Sequence, residues 1–166
     1  MFKLLMYVAV SVGLVGVLLV VGGLIANRLP LSVPPGLRDR LFTYMTTNVA
    51  ETTEHNILPE LRLRSYAMNA DAMYGLVVGA IDALGWKVLS VSPRTKTINA
   101  MVVTRLWRFK DDVVIRVQPR PDGKSAVYVR ASSRVGKGDL GANARHVIDL
   151  YQWLDMKVPE PGSQQR

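Results

Sequence analysis

Between Arg130 and Arg145 the chain reads RASSRVGKGDLGANAR, its densest run of chemically capable side chains. The adjacent hydroxyls of Ser132 and Ser133 are nucleophile candidates, but a serine needs a general base within reach. The two histidines are His55 and His146, and no G-x-S-x-G elbow presents either serine. A serine hydrolase built with His146 would place that ring within about 3 Å of a serine hydroxyl. Asp111 and Asp112 in FKDD fall where a hairpin is expected and read as turn formers. Cysteine is absent, which excludes a thiol nucleophile, a disulfide and a zinc–thiolate site. Metal ligation would need more histidines or clustered carboxylates. The expectation is therefore no catalytic residue, no metal and no cofactor.

Anion recognition is the chemistry these residues suit best. A glycine-rich turn entering a helix offers backbone N–H groups and a favourable dipole to a phosphate. Asp139 stands where that phosphate would sit. The corner therefore reads first as structural: Gly136, Gly138 and Gly141 permit a tight strand-to-helix turn, and Asp139 caps it. Arg134 or Arg145 would then bond backbone carbonyls or Asp139. The expected ligand-binding set is Arg116, Arg130, Ser132, Arg134, Asn143 and Arg145, whose guanidinium forks suit phosphate or carboxylate. Asp112, Gly136, Asp139 and Gly141 are the expected structural set. Internal carboxylates or open water would satisfy the same arginines without any ligand.

The elements that must position these side chains follow from spacing. LRLRSYA alternates as an edge strand. NADAMYGLVVGAIDALG reads as a helix with Asn69 or Asp71 as N-cap and Gly85 as terminator. Met73, Leu76, Val77, Ala80 and Leu84 share one face, and Val78 and Ile81 predict cover on more than one side. WKVLSV, TINAMVVTRLW, DVVIRVQ and SAVYVRAS are strands joined by short turns, SPRTK, RFKD and PRPDGK. A final helix, LGANARHVIDLYQWLD, presents Leu140, Ala144, Val147, Tyr151 and Leu154. The order predicts an α+β fold: an antiparallel sheet of four to five strands with two helices packed on one face. Alternation puts Val113, Ile115 and Val117, then Val127, Val129 and Ala131, then Ile98, Ala100, Val102 and Leu106 on the buried side. Arg105, Arg116 and Arg130 then emerge opposite, with Tyr128 and Trp107 beside them.

The amino terminus carries 23 uncharged residues, Leu4 to Ala26. As a helix they reach roughly 34 Å, enough for a hydrocarbon core of about 30 Å. A cleaved signal has a shorter apolar region, about 7–15 residues, and a small-x-small site that Leu24 and Ala26 do not supply. Residues 1–26 therefore read as a transmembrane anchor. Ala9 with Gly13, and Gly22 with Ala26, have the spacing of helix-association seams. Residues 27–56 read as a proline-containing linker and juxtamembrane segment, 57–156 as the α+β domain, and 157–166 as a tail ended by Pro159 and Pro161. Lys3 on one side and Arg28, Arg38 and Arg40 on the other do not decide orientation. The net charge of +8 favours anionic partners, with membrane lipids ahead of nucleic acid because no nucleic-acid motif is present.

ALGW (83–86), FKDDVVIRV and, above all, VRASSRVGKGDLGANARHV resemble the family known as domain of unknown function 1499, over roughly Leu58 to Leu154. The resemblance implies no activity. It implies small bacterial or plastid proteins, often with an anchor or lipoprotein signal, and hence an extracytoplasmic domain at a bacterial inner membrane. A cysteine-containing segment common in that family is absent, so no role tied to it carries over. By position the resemblance marks Asp112, Arg116, Arg130, Ser132, Ser133, Arg134, Gly136, Asp139, Gly141, Asn143 and Arg145. The combined expectation is a membrane-anchored, non-enzymatic module that binds an anionic ligand or lipid headgroup through a basic sheet face. The alternative is an accessory subunit of a larger membrane complex, joined through the anchor helix.

Overall fold

Three strands with strictly alternating side chains form the centre of the molecule, in a computed structural model that describes residues 1–104 and 107–158. They are β4 (Thr97–Val103), β5 (Lys110–Pro119) and β6 (Ser125–Ser133). β3 (Lys87–Ser92) extends the sheet beyond β4, and every pairing is antiparallel. Two three-residue strands, β1 (Val49–Glu51) and β2 (Arg64–Tyr66), share the outer edge of β6. β1 lies beside Arg130–Ser132 and β2 beside Ser125–Val127. Among the described residues the sheet thus has six strands, the additional one being β1.

The expected buried face is observed: Ile98, Ala100, Val113, Ile115, Val127, Val129 and Ala131 are almost wholly inaccessible. Each of the valines and isoleucines contributes about 1.5–3 kcal/mol on burial. Leu106 and Arg105 lie outside the described residues. Two helices, α3 (Ala70–Ala83) and α4 (Ala142–Lys157), cover this face and touch one another. Asn69 caps α3, its side-chain oxygen accepting from the N–H groups of Asp71 and Ala72 at 3.1 and 2.9 Å. Gly85 ends it at a φ of 68°. Val78 is exposed, so α3 is covered less completely than its composition predicts.

Two expectations need correction. The RFKD segment is not the β4–β5 turn, because β5 already begins at Lys110. The connection closes earlier, where the N–H groups of Thr104 and Phe109 bond Phe109 O and Thr104 Oγ1. Asp111 and Asp112 are therefore strand residues.

Residues 27–56 are also more than a proline-containing linker and juxtamembrane segment. They contain α2 (Leu37–Thr46) and β1, and Tyr44 and Ala50 join the core. Their apolar periodicity is weak because α2 buries a polar pair. Arg40 is fully inaccessible and bonds the Glu60 carboxylate from two nitrogens at 2.9 Å each, while Tyr44 donates to Glu60 at 2.9 Å.

The first element, α1 (Phe2–Ala26), is long and apolar enough to cross a membrane. Most of its surface is bare, but Gly23 and Leu24 are buried against the domain and Val20 packs against the same core. Pro159 and Pro161 lie outside the described residues.

Candidate functional site

The glycine corner is a socket for the chain's own amino-terminal segment. A Cβ on Gly138 would collide with the Met45 backbone, one on Gly141 with the Leu29 side chain, and one on Gly23 with Leu140. Gly141 also needs its left-handed backbone, at φ 80°. Asn27 Nδ2 donates to Leu140 O at 2.9 Å, and the N–H groups of Asp139 and Leu140 donate to Tyr44 O at 3.1 and 3.0 Å. Gly22 and Gly13 have open space around them, so in this chain the close approach is made by Gly23.

The last helix starts at Ala142, two residues later than expected, with Gly141 at its N-cap and Leu140 outside it. Asp139 bonds the helix start from further back. Its carboxylate accepts from the N–H groups of Gly141 and Asn143 at 2.8 and 2.9 Å. Burial raises its pKa above the ordinary carboxylate range, and those two donors oppose the rise. Neither Arg134 nor Arg145 bonds Asp139; Arg145 instead reaches the Arg28 carbonyl at 3.4 Å. With an aspartate already on these N–H groups, the corner is not an anion cradle.

The arginine set divides once partners are assigned. Arg134 grips Asp112 with two nitrogens, at 2.9 and 2.6 Å. Arg145 pairs with Asp149 and also donates to Gln152 at 3.0 Å. Arg130 lies 3.7 Å from Glu51 and 3.5 Å from the Ser132 hydroxyl. Arg116 stands over the Tyr128 ring, 5.9 Å from its centroid. The alternation therefore placed Arg116, Arg130 and Tyr128 on one face, while carboxylates occupy Arg130 and Arg134. Asn143 points the other way, donating to Asn48 O and Ser133 Oγ at 2.8 Å each.

A groove of about 730 Å³ opens where α1 meets the domain. Trp86, Trp107, Phe109 and Val135 supply apolar walls; Arg28, Lys87, Arg108 and Arg145 supply positive charge. Among the described residues, Arg28, Lys87 and Arg108 form no carboxylate pair. Trp107, expected on the open sheet face, belongs to this groove. His146 lines it too, its Nε2 2.9 Å from Oδ2 of Asp111, which is wholly buried behind it. The Trp86 ring meets His146 edge-on. Ser133 borders the groove, but its hydroxyl accepts from Asn143, and among the described residues no serine bonds His146. The arrangement combines an apolar wall, a hydrogen-bonding histidine held by a carboxylate, and unpaired cations.

A family model described as a protein of unknown function (DUF1499) matches residues 42–154. The chain belongs to the DUF1499 family. No curated protein matches it. The DUF1499 region begins inside α2, so it includes β1, Tyr44 and Glu60 but not Arg40. The motif that carried the resemblance serves two ends in this DUF1499 chain. Gly138, Asp139, Gly141 and Asn143 build the socket, while Ser133, Arg145 and His146 face the groove.

Reading the sequence missed Asp111, Arg28, Lys87, Arg108, Trp86 and the Arg40–Glu60 pair. For Asp111 a signal existed: it continues the parity of Val113, Ile115 and Val117. Arg28, Lys87 and Arg108 had none, because they come from three separate segments.

Proposed function

We propose that this protein is a membrane-anchored, non-enzymatic module that takes an anionic amphiphile, with phospholipid chemistry, into the groove at the foot of α1. One observation carries the reading. Three cations without carboxylate partners border the same cavity as exposed aromatic side chains and the last turns of an apolar helix. An amphiphile needs both surfaces, apolar for its chains and cationic for its phosphate. The sheet face first expected to bind is less suited, because Arg130 and Arg134 already face carboxylates.

Retention of α1 as an anchor is supported by packing. Cleavage after Ala26 would remove Leu24 and Val20 from the core that includes Leu29 and Tyr44. The side of the membrane follows the family resemblance, extracytoplasmic at a bacterial inner membrane. The test is native mass spectrometry of the full chain extracted in mild detergent. The unmodified protein should retain anionic lipid, an Arg28→Glu/Arg108→Glu protein should lose it, and Arg116→Glu should keep it. Equal retention by all three would sink the groove as the site.

A second reading, an accessory subunit of a membrane complex, is favoured by β3. This sheet edge exposes Val88, Leu89 and Val91, and an open apolar edge invites a partner strand. Native sizing in gentle detergent separates the readings, since a lone monomer argues against this one.

A further inference from the structure

Four large apolar side chains stand exposed around the foot of α1. They are Met45 (51%), Trp107 (42%), Phe109 (51%) and Val135 (69%). Their neighbourhood is continuous: Gly138 packs on the Met45 backbone, and Gly138, Val135, Trp107 and Phe109 border one groove with Gly23 and Ala26. Basic residues alternate with them. The end of the β4–β5 connection and the first residue of β5 read Trp107-Arg108-Phe109-Lys110, with all four side chains exposed, and Lys137 follows Val135 by two residues. Arg28 adds a further charge from the end of α1. None of Arg28, Arg108, Lys110 and Lys137 pairs with a carboxylate among the described residues. The β5–β6 turn, at the opposite end of the sheet, exposes no large apolar side chain between Arg120 and Lys124.

The depth of this rim follows from helix geometry. The 25 residues of α1 extend about 37 Å, against about 30 Å of hydrocarbon. The domain already packs against Val20, Gly23 and Leu24, before the helix ends. Val20 is six residues, about 9 Å, from Ala26. A domain gripping α1 that high must bring the surrounding rim to headgroup level. Aromatic rings and basic side chains are what that layer favours, the rings at its boundary and the cations against anionic phosphate.

We infer that the rim of Met45, Trp107, Phe109 and Val135, with Arg108, Lys110 and Lys137, is a membrane-contacting surface seated in the headgroup layer of an anionic leaflet. The inference rests on reading α1 as a retained anchor. It also gives the groove an entrance facing the bilayer, so that a ligand can arrive without crossing water.

The native chain has no cysteine, so single-cysteine spin labels carry no background. The full chain would be reconstituted into phosphatidylcholine–phosphatidylglycerol vesicles, labelled at Met45→Cys, Val135→Cys or Lys124→Cys. Met45 does not line the groove, so its label reports bilayer contact and not groove occupancy. Relaxation by oxygen should exceed relaxation by a water-soluble nickel complex at Met45→Cys and Val135→Cys, and the order should reverse at Lys124→Cys. Nickel access at the two rim labels equal to that at Lys124→Cys, in protein that still floats with the vesicles, would overturn the inference and leave the anchor intact. Protein that no longer floats after an alkaline carbonate wash would overturn the anchor reading itself.

Discussion

At the scale of single residues, the most consequential pair is one with no place in the groove. Arg40 is wholly buried and its guanidinium meets Glu60 through two nitrogens, with backbone carbonyls of Val33 and Pro34 beside it. Burial works against the Glu60 charge, but Arg40, the backbone and Tyr44 outweigh it, so its pKa lies below the ordinary glutamate range. Removing one partner leaves a buried charge uncompensated, so Arg40→Ala should cost about 3–5 kcal/mol in urea unfolding of the solubilised protein. Arg116→Ala, on the open sheet face, should stay within about 0.5 kcal/mol. The depressed Glu60 value also fixes a pH dependence. Its stabilisation is complete above the unfolded glutamate range, near pH 4.3, and is lost as pH falls through the lower folded value. Glu60→Gln should flatten that acid limb, which unfolding midpoints measured at falling pH would reveal. Neither residue was legible in the sequence, because a buried Arg–Glu pair breaks the apolar stripe by which a helix face is recognised. Asp111 was hidden differently: it looked like a turn residue until the strand was seen to begin one position earlier.

Among the elements, the corner between β6 and α4 shows how one motif can look chemical and be mechanical. Its glycines are explained by what lies against them. Gly138→Ala would force a methyl group into the Met45 backbone, which has little room to give, and should destabilise the protein by about 1–3 kcal/mol. Gly75→Ala, in the exposed interior of α3 with nothing nearby, should instead stabilise it by about 0.5–1 kcal/mol. Thermal unfolding of the two proteins side by side checks the contrast. Equal responses would mean that the corner yields freely and does not seat α2. That Asp139 bonds the start of α4 was readable from its place before the helix. The seating of Leu29 and Met45 was not, because those contacts join residues about a hundred positions apart.

For the whole molecule, the question is whether α1 is a passenger or a part. Leu24 and Leu29 are buried with Tyr44 and the helices, so, on the proposed anchor reading, protein recovered from membranes should retain α1. Mass spectrometry of protein recovered from alkaline-washed membranes tests this directly: an intact mass including residues 1–26 is expected. A mass beginning near Asn27 would mark α1 as a cleaved signal. The same packing explains why the groove and the apolar rim gather at one end. The end of α1, the β4–β5 connection and the β6–α4 corner all meet there.

The sequence alone determined what depends on short-range regularity: the apolar helix, the alternating strands and their buried face, the α3 cap, and an absence of cysteine that removes whole classes of chemistry. Side-chain direction repeats every two or every 3.6 residues, so such features survive without a structure. Tertiary structure decided the rest. Which arginines were already satisfied by carboxylates, which cations were left facing a cavity, and that a supposed linker was part of the core are facts about partners distant along the chain. Charge neutralisation depends on separation in space, over a few ångströms, and local periodicity says nothing about which remote residue will supply it.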